Sequence, residues 1–406
     1  MKTSQKNVKN SGIEWIGEIP SDWKLVKVKH LFVIGRGRVI TTTELIDDGK
    51  YPVYSSQTVN DGCMGYINTY DFDGDFLTWT TDGVYAGSVF KRSGKFNCTN
   101  VCGTLKCKVS NINIDYLWYA LDYCATYNKR IDINGAKIMN NEMAKIVIAL
   151  PDYEYQKRIS EYLNEHCKNI DSIIETEEIQ IEKLKEYKQS IITEAVTKGL
   201  DKNVEMKDSG VEWIGKIPKD WQVIKLKYAY ISVDEKYNSG EYPYIALENI
   251  EAKSGNYVQT ETNENYSLDG TIIADKNAVI FGKLRPYLAK AFLITEPSCV
   301  SSEFAVFVSN CNLTEYLKYL FLSNNFIDWV NSSTYGTKMP RANIDFIRNT
   351  YIALPNIKEQ NNIVNYIKTK SIKIDDIINV KKAKIEKLNE YKKSLIYEYV
   401  TGKKEV

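Results

Sequence analysis

Two long stretches of the chain carry apolar residues at alternating steps of three and four. After Pro151 these are Ile159, Leu163, Ile170, Ile174, Ile181, Leu184, Ile191 and Ala195. After Pro355 they are Ile363, Ile367, Ile374, Ile378, Ile385, Leu388, Leu395 and Tyr399. Such spacing keeps apolar side chains on one narrow face of a helix. Neither stretch holds an internal Pro or Gly, and both are rich in the helix formers Glu, Lys and Leu. Pro151 and Pro355 stand where a helix can begin, and Gly199 and Gly402 where one can stop. At 1.5 Å per residue, ~45 residues make a rod of roughly 65 Å. The intervening segments, 30–150 and 228–354, read differently. Short apolar or alternating runs broken by Gly, Asn and Asp predict strands, with one helical stretch late in each, Asp115–Tyr127 and Thr314–Val330. Each segment therefore reads as a mixed α/β domain of roughly 120 residues.

The chain also repeats itself. Residues 11–29 (SGIEWIGEIPSDWKLVKVK) and 209–227 (SGVEWIGKIPKDWQVIKLK) match at 12 of 19 positions, at an offset of 198. Residues 181–197 (IEKLKEYKQSIITEAVT) and 385–401 (IEKLNEYKKSLIYEYVT) match at 12 of 17, at an offset of 204. Both inserts end in an apolar run closed by Leu-Pro, IVIALP at 146–151 and YIALP at 351–355, yet they share no obvious alignment. A duplicated frame holding two diverged inserts results. The opening block reads as a turn-rich connector followed by a strand, Leu25–Lys29 or Val223–Lys227. Trp15, Trp23, Trp213 and Trp221 serve there as packing anchors.

The expected architecture is α+β. Two mixed α/β domains, 1–150 and 209–354, are separated by two long helices, 151–198 and 355–406, with a linker at 199–208. A narrow apolar seam needs a partner, and the opposite charges of the two helices favour pairing with each other. Residues 152–198 carry seven Lys+Arg against eleven Asp+Glu, whereas 356–403 carry eleven Lys against six Asp+Glu. Glu177 interrupts the first seam and Lys381 holds the equivalent position of the second. In an antiparallel coiled coil with a pseudo-two-fold repeat these two should meet, flanked by Ile174, Ile181, Leu184, Ile378, Ile385 and Leu388.

Composition narrows the function. The 406 residues hold 53 Lys+Arg and 52 Asp+Glu, a net charge of +1, so any nucleic-acid surface must be a local patch. Met1–Asn10 lacks the apolar core of a secretory signal, and no run of about 18 apolar residues predicts a membrane helix. Eight cysteines without regular pairing suit a reducing cytosol. The expectation is a soluble cytoplasmic protein. Catalytic signals fail in turn. There is no G-x-x-x-x-G-K-[ST] loop and no Pro-Pro pair for an amino-methyltransferase motif. His30 heads a predicted strand and His166 lies on the first long helix, neither with readable partners. Cys98, Cys102 and Cys107 have a poor zinc spacing and read as structural thiols. Glu186-Tyr187-Lys188 falls on the repeated helix. No catalytic residue, metal or cofactor is expected in this chain.

Basic and amide residues cluster in Gly-containing loops of both inserts. The first has Gly35-Arg36-Gly37-Arg38, Ser55-Ser56-Gln57 and Lys91-Arg92-Ser93-Gly94-Lys95. The second has Gly282-Lys283-Leu284-Arg285-Pro286-Tyr287 and the run Gly336–Asn343, GTKMPRAN. Arg offers a planar donor fork to guanine or phosphate, Asn and Gln suit adenine, and Lys suits phosphate.

With these motifs in view, the whole chain resembles the specificity subunit of a Type I restriction–modification system. The doubled G-[IV]-E-W-I-G-x-I-P-x-D-W block, the doubled Leu-Pro boundary and the helix ending I-E-K-L-x-E-Y-K-x-S carry the resemblance. So do FGKLRPYLAKAF (281–292), SSEF (301–304) and GTKMPRANID (336–345) in the second insert. In the first insert, WTTDGVYAGSVFKRSGKF (79–96) and NVCGTLK (100–106) look like another recognition-domain variety, without the G-K-L-R-P-Y-L signature. The resemblance implies a non-catalytic subunit that reads a bipartite target in double-stranded DNA. Its two target-recognition domains would be spaced by the helix pair, with half-sites about one turn, ~34 Å, apart. It implies two methyltransferase subunits using S-adenosylmethionine, and restriction translocase–nuclease subunits using ATP and magnesium. For DNA contact it points to Lys283, Arg285, Tyr287, Lys338, Arg341 and Asn343 in the second insert. In the first it points to Thr81, Lys91, Arg92 and Lys95, with Arg36 and Arg38 behind them. A coiled-coil scaffold whose inserts bind protein partners is the alternative.

Overall fold

A computed structural model describes residues 7–133, 135–237, 242–259, 270–336 and 338–406. The chain divides into two compact units: Met1–Thr176 with Ala383–Val406, and Glu177–Lys382. Both long helices, Tyr153–Lys198 and Ile357–Val400, therefore contribute one part to each unit.

Each unit is closed by its repeated blocks. In the first, Val8–Asn10 pairs antiparallel with Glu18–Pro20, and Lys24–Lys27 pairs with Val147–Leu150, the run before Pro151. In the second, Met206–Asp208 pairs with Lys216–Pro218, and Gln222–Lys225 with Tyr351–Leu354. The opening block and the Leu-Pro run thus form one hairpin-like frame around each insert. Two expectations are corrected here. The segment 199–208 holds a strand rather than only a linker. The strand expected over Leu25–Lys29 ends at Lys27, because Val28 and Leu31, three apart, bury their side chains by turning into a short helix, Val28–Leu31. His30 lies in that turn and heads no strand. Leu226–Ala229 repeats it in the second unit.

The inserts, unalignable by eye, share a sheet order. In the first unit an antiparallel sheet runs Phe32–Arg36, Cys102–Cys107, Phe76–Thr80, Val89–Arg92. In the second it runs Ile231–Val233, Phe304–Val308, Val279–Gly282, Ala291–Leu293. A second sheet also corresponds. Tyr51–Tyr54 lies parallel to Lys95–Cys98, which pairs antiparallel with Phe72–Asp73. Tyr244–Ile245 lies parallel to Ser298–Val300, which pairs antiparallel with Thr271–Ala274. What is retained is which positions are buried. Leu77, Trp79 and Leu105 fill the first core as Val279, Phe281 and Phe307 fill the second.

A helix covers the first sheet of each insert and ties it to the frame. The helix Ile114–Tyr127 is capped by Asn113, whose side chain accepts from Tyr116 N at 2.8 Å. Gln156 accepts from Asn113 N at 3.0 Å and donates to Pro151 O at 2.9 Å. Gln360 does the same with Leu313 N and Pro355 O, at 2.9 Å each. Buried Tyr116 and Tyr316 donate their hydroxyls to Ala149 O and Ala353 O of the frame strands. A buried amide is costly unless bonded, so these satisfied glutamines fix where each long helix starts. The helix expected over Thr314–Val330 is two, Thr314–Leu322 and Asn324–Ser332, broken at Ser323, whose ψ of 142° is extended. Ser323 donates to Leu320 O, and Asn324 N is freed by the break to donate to Thr193 Oγ1, a contact that a continuous helix could not make.

Within each unit the parts of the long helices run antiparallel. In the second, Lys381 Nζ donates to Glu177 Oε2 at 2.8 Å, and Lys188 Nζ to Asp375 at 2.7 and 2.9 Å. In the first, Lys392 Nζ donates to Asp171 at 2.6 Å. Lys188 and Lys392 are repeat equivalents, as are Asp171 and Asp375, so each unit makes the same contact with the roles of the helices exchanged. Ile181 and Ile378 are buried in the second unit, with Leu184 half-buried. In the first, Ile174 and Leu388 pack against the core and Ile385 is half-buried.

Candidate nucleic-acid interface

In the second unit, two runs some 55 residues apart in sequence are laced together by backbone. The chain leaves the strand Val279–Gly282, and Lys283 N donates to Glu303 O at 2.8 Å. Arg285 N then donates to Pro340 O at 2.7 Å, and Ala342 N returns a bond to Lys283 O at 2.9 Å. Leu284 and Tyr335 each bridge to Arg341. Lys283, Arg285 and Tyr287 thereby share a loop pair with Lys338, Arg341 and Asn343.

The electrostatics of this loop pair are specific. Arg341 makes an ion pair with Glu303 of the SSEF motif. Half-buried Lys283 is pushed below the usual lysine range by burial, an effect that Glu303 opposes and Arg341 adds to. Arg285 Nε and Glu303 Oε2 are buried without a hydrogen-bond partner among the described residues. Arg285 also sits at φ 51°, in the left-handed region that costs a non-glycine residue about 1 kcal/mol. Tyr287, Tyr335, Lys338, Met339 and Arg341 are exposed around it. A half-buried arginine on a strained backbone, set among exposed tyrosines and basic side chains, suits recognition of a polyanion with readable edges. Asn343 acts locally, because its side-chain oxygen accepts from Asp345 N at 2.7 Å and caps the helix Ile344–Asn349. Thr337 lies outside the described residues.

The first unit distributes its candidates differently. Arg92 is 4% exposed. Its Nη1 pairs with Asp61 Oδ2 at 2.5 Å, its Nη2 donates to Asp61 O at 2.7 Å, and its guanidinium stacks 3.7 Å above Tyr54. Thr81 is also buried and donates to Asp82 Oδ2 at 3.1 Å. The expectation that these two meet DNA is corrected. In a strand, neighbours face opposite ways, so Lys91 points out while Arg92 points in. Lys91 pairs with Asp115 at 2.9 Å over the ring of Trp118, and Lys95 lies 4.3 Å above Tyr70. Arg36 donates to Asn100 O at 2.5 Å, and Arg38 bridges Asp71 at 3.0 Å and Glu44 at 2.9 Å. The glycines of Gly-Arg-Gly-Arg serve packing: a Cβ on Gly37 would lie 2.2 Å from Cys98 O.

The residues set aside as non-catalytic also have local partners. Cys98 and Cys102 are buried, and their mutual hydrogen bond, with burial, raises the Cys98 thiol. His166 Nδ1 lies 2.9 Å from Tyr162 O, its ring stacked on that tyrosine. Among the described residues no group of three His, Cys, Asp or Glu is placed to hold a metal, and no helix is long and apolar enough to cross a membrane. Sequence reasoning missed Glu303 and Tyr335. SSEF marked the neighbourhood of Glu303, but its pairing with Arg341 spans 38 residues and has no local signal.

The family model described as "Type I restriction modification DNA specificity domain" matches residues 20–183 and 218–387. The specificity subunit of the type I restriction enzyme MjaVIII of Methanocaldococcus jannaschii is 26% identical over 425 residues, 95% of this chain and 93% of that protein. The specificity subunit of the type I restriction enzyme MpnII of Mycoplasma pneumoniae is 38% identical over 157 residues, 38% of this chain and 47% of that protein. A further relative from that organism is 41% identical over 138 residues, and the chain spans only 38% of its length. A chain from a solved structure on complex assembly and conformational transition of the type I restriction–modification system superposes with a TM-score of 0.67. It is 11% identical and covers 94% of this chain and 98% of that one, a likeness of fold.

Proposed function

Because the chain belongs to the family of type I restriction–modification DNA specificity domains, we propose that it is the DNA-reading subunit of such a system. Its two units each read one half of a bipartite target in duplex DNA. The chain supplies recognition and no chemistry. Adenine methylation belongs to methyltransferase subunits that carry S-adenosylmethionine, and cleavage to translocase–nuclease subunits that use ATP and magnesium. The long helices dock those partners, and the chain needs no cofactor of its own. It works in the cytoplasm, where its substrate is.

One observation carries this reading: the loop pair of the second unit, where Lys283, Arg285, Tyr287, Lys338 and Arg341 converge from two distant runs. Arginine reads guanine with a fork of two donors, lysine neutralises phosphate, and tyrosine packs on sugar or base edges. Holding Arg285 in a strained conformation is understandable if its side chain must be presented to a partner.

The test is to assemble the full chain with its methyltransferase subunits and map methylated adenines in DNA of varied sequence. Two short fixed sequences separated by a constant gap are expected. Binding that rises and falls with salt but ignores sequence would refute it.

A further inference from the structure

The two inserts agree in more than strand order. Thr80 N donates to Ser88 O at 3.0 Å as Gly282 N donates to Lys290 O at 2.8 Å. Thr81 N donates to Val101 O at 2.9 Å as Lys283 N donates to Glu303 O. Gly83 N donates to Ala136 O at 3.1 Å as Arg285 N donates to Pro340 O, and Ile138 N donates to Thr81 O at 2.8 Å as Ala342 N donates to Lys283 O. Asp82 bridges Lys137 as Leu284 bridges Arg341. Even the backbone signs agree. Gly83 has φ 92° where Arg285 has 51°, and Gly87 has 88° where Ala289 has 47°.

This register places WTTDGVYAGSVF (79–90) on FGKLRPYLAKAF (281–292) without a gap, and only the tyrosine and the final phenylalanine are identical. Tyr85 falls on Tyr287, and the two are 51% and 43% exposed. Lys137 falls on Arg341, a base on a base. Gly83 stands where Arg285 does and Val101 where Glu303 does, so the strained arginine and its acidic neighbour are absent from the first loop pair. Beside Tyr85, the side chains of Val84, Ile131 and Ile133 are also strongly exposed. Isolated exposed apolar residues mean little, but four around one loop pair mark a surface that meets a partner.

Building on the DNA-reading function above, we propose that Tyr85 and Lys137 are the first unit's counterparts of Tyr287 and Arg341. The loop tips at 82–85 and 135–137 are then its contact surface for duplex DNA, in place of the basic run Lys91-Arg92-Ser93-Gly94-Lys95. The scaffold holds a tyrosine and a base at fixed places in both units. The positions of Gly83/Arg285 and Val101/Glu303 are free to differ, and the two units can read different sequences from one geometry.

The test compares Tyr85→Ala, Lys137→Ala, Tyr287→Ala and Arg341→Ala in the full chain, assembled with methyltransferase subunits, by mapping methylated sites. Thermal melting checks that each variant folds, and Tyr85→Phe and Lys137→Gln replace any variant that does not. Tyr85 and Lys137 variants should lose about tenfold or more in methylation and relax selection at one half of the target only. Tyr287 and Arg341 variants should do so at the other half. If the latter pair acts and the former leaves both halves unchanged, this assignment is overturned while the function stands. If none of the four changes the target, the loop pairs do not read DNA and this assignment is overturned in both units; the function itself falls only if the parent assembly methylates no fixed pair of sequences.

Discussion

Replacing Lys381 by Met isolates the charge pair set into the apolar seam. Glu177 is 7% exposed and accepts from Lys381 at 2.8 Å, while the lysine side chain keeps 20% of its surface in solvent. Removing one partner of a fully buried pair costs about 3–5 kcal/mol where nothing else compensates the remaining charge, and Glu177 has a further contact besides Lys381. Water that reaches the lysine end, together with that further contact of Glu177, reduces the cost to about 2 kcal/mol. The double variant Glu177→Met, Lys381→Met removes both charges and restores an unbroken seam. It should recover most of the loss or exceed the parent, giving a coupling of about 1–2 kcal/mol in a double-mutant cycle. Urea unfolding of the full chain followed by far-UV circular dichroism measures this, read as a midpoint shift at constant slope. Two transitions should be fitted if the two units do not unfold together. Screening by salt should be weak, because the carboxylate is sheltered. A loss below about 0.5 kcal/mol for Lys381→Met, or a double variant no better than the summed singles, would show that the pair is solvent-screened and that the burial argument is wrong.

Three further outcomes are expected. Arg92→Ala should lower stability by about 2–3 kcal/mol, since it empties the buried space the guanidinium fills against Tyr54, while the exposed Asp61 carboxylate stays solvated. Its melting temperature should fall while the methylated target stays the same. Arg285→Gly and Arg285→Ala should weaken DNA binding equally, but the glycine variant should be about 1 kcal/mol more stable because alanine keeps the strain at φ 51°. Equal melting curves would mean that the left-handed backbone carries no strain. Asp122 accepts from Val89 N at 3.0 Å, and burial, partly offset by that bond, raises its carboxyl above the ordinary 3.8. A raised carboxyl stabilises the fold only while protonated, so that contribution is lost as pH climbs through the carboxylate range. Asp122→Asn should therefore be the more stable protein at neutral pH, with a flatter curve of melting temperature against pH. A parent curve as flat as the variant's would contradict the raised carboxyl.

The periodicity after Pro151 and Pro355 located both long helices to within a few residues, and the doubled blocks revealed the repeat. These signals are local: a seam or a repeated turn is written in consecutive residues, and one chain read against itself suffices to see it. The short strands fared less well. Val28–Leu31 and Ser323 depart from expectation because burial and contacts from distant segments, such as Thr193, override local preference.

The proposed reading surface shows the same division. Motif and residue type suggested Lys283, Arg285 and Arg341, and the fold brings their two runs together. Sequence alone could not see that Arg92 turns inward while Lys91 turns outward, because Asp61 and Tyr54 lie 31 and 38 positions away in the chain. Nor could it match Tyr85 to Tyr287, because the inserts preserve hydrogen-bond register and buried volume while changing nearly every residue. Backbone pairing constrains where a side chain stands and hardly constrains which one it is. The chain alone therefore told what kind of protein this is, and the folded arrangement decided which of its residues face outward.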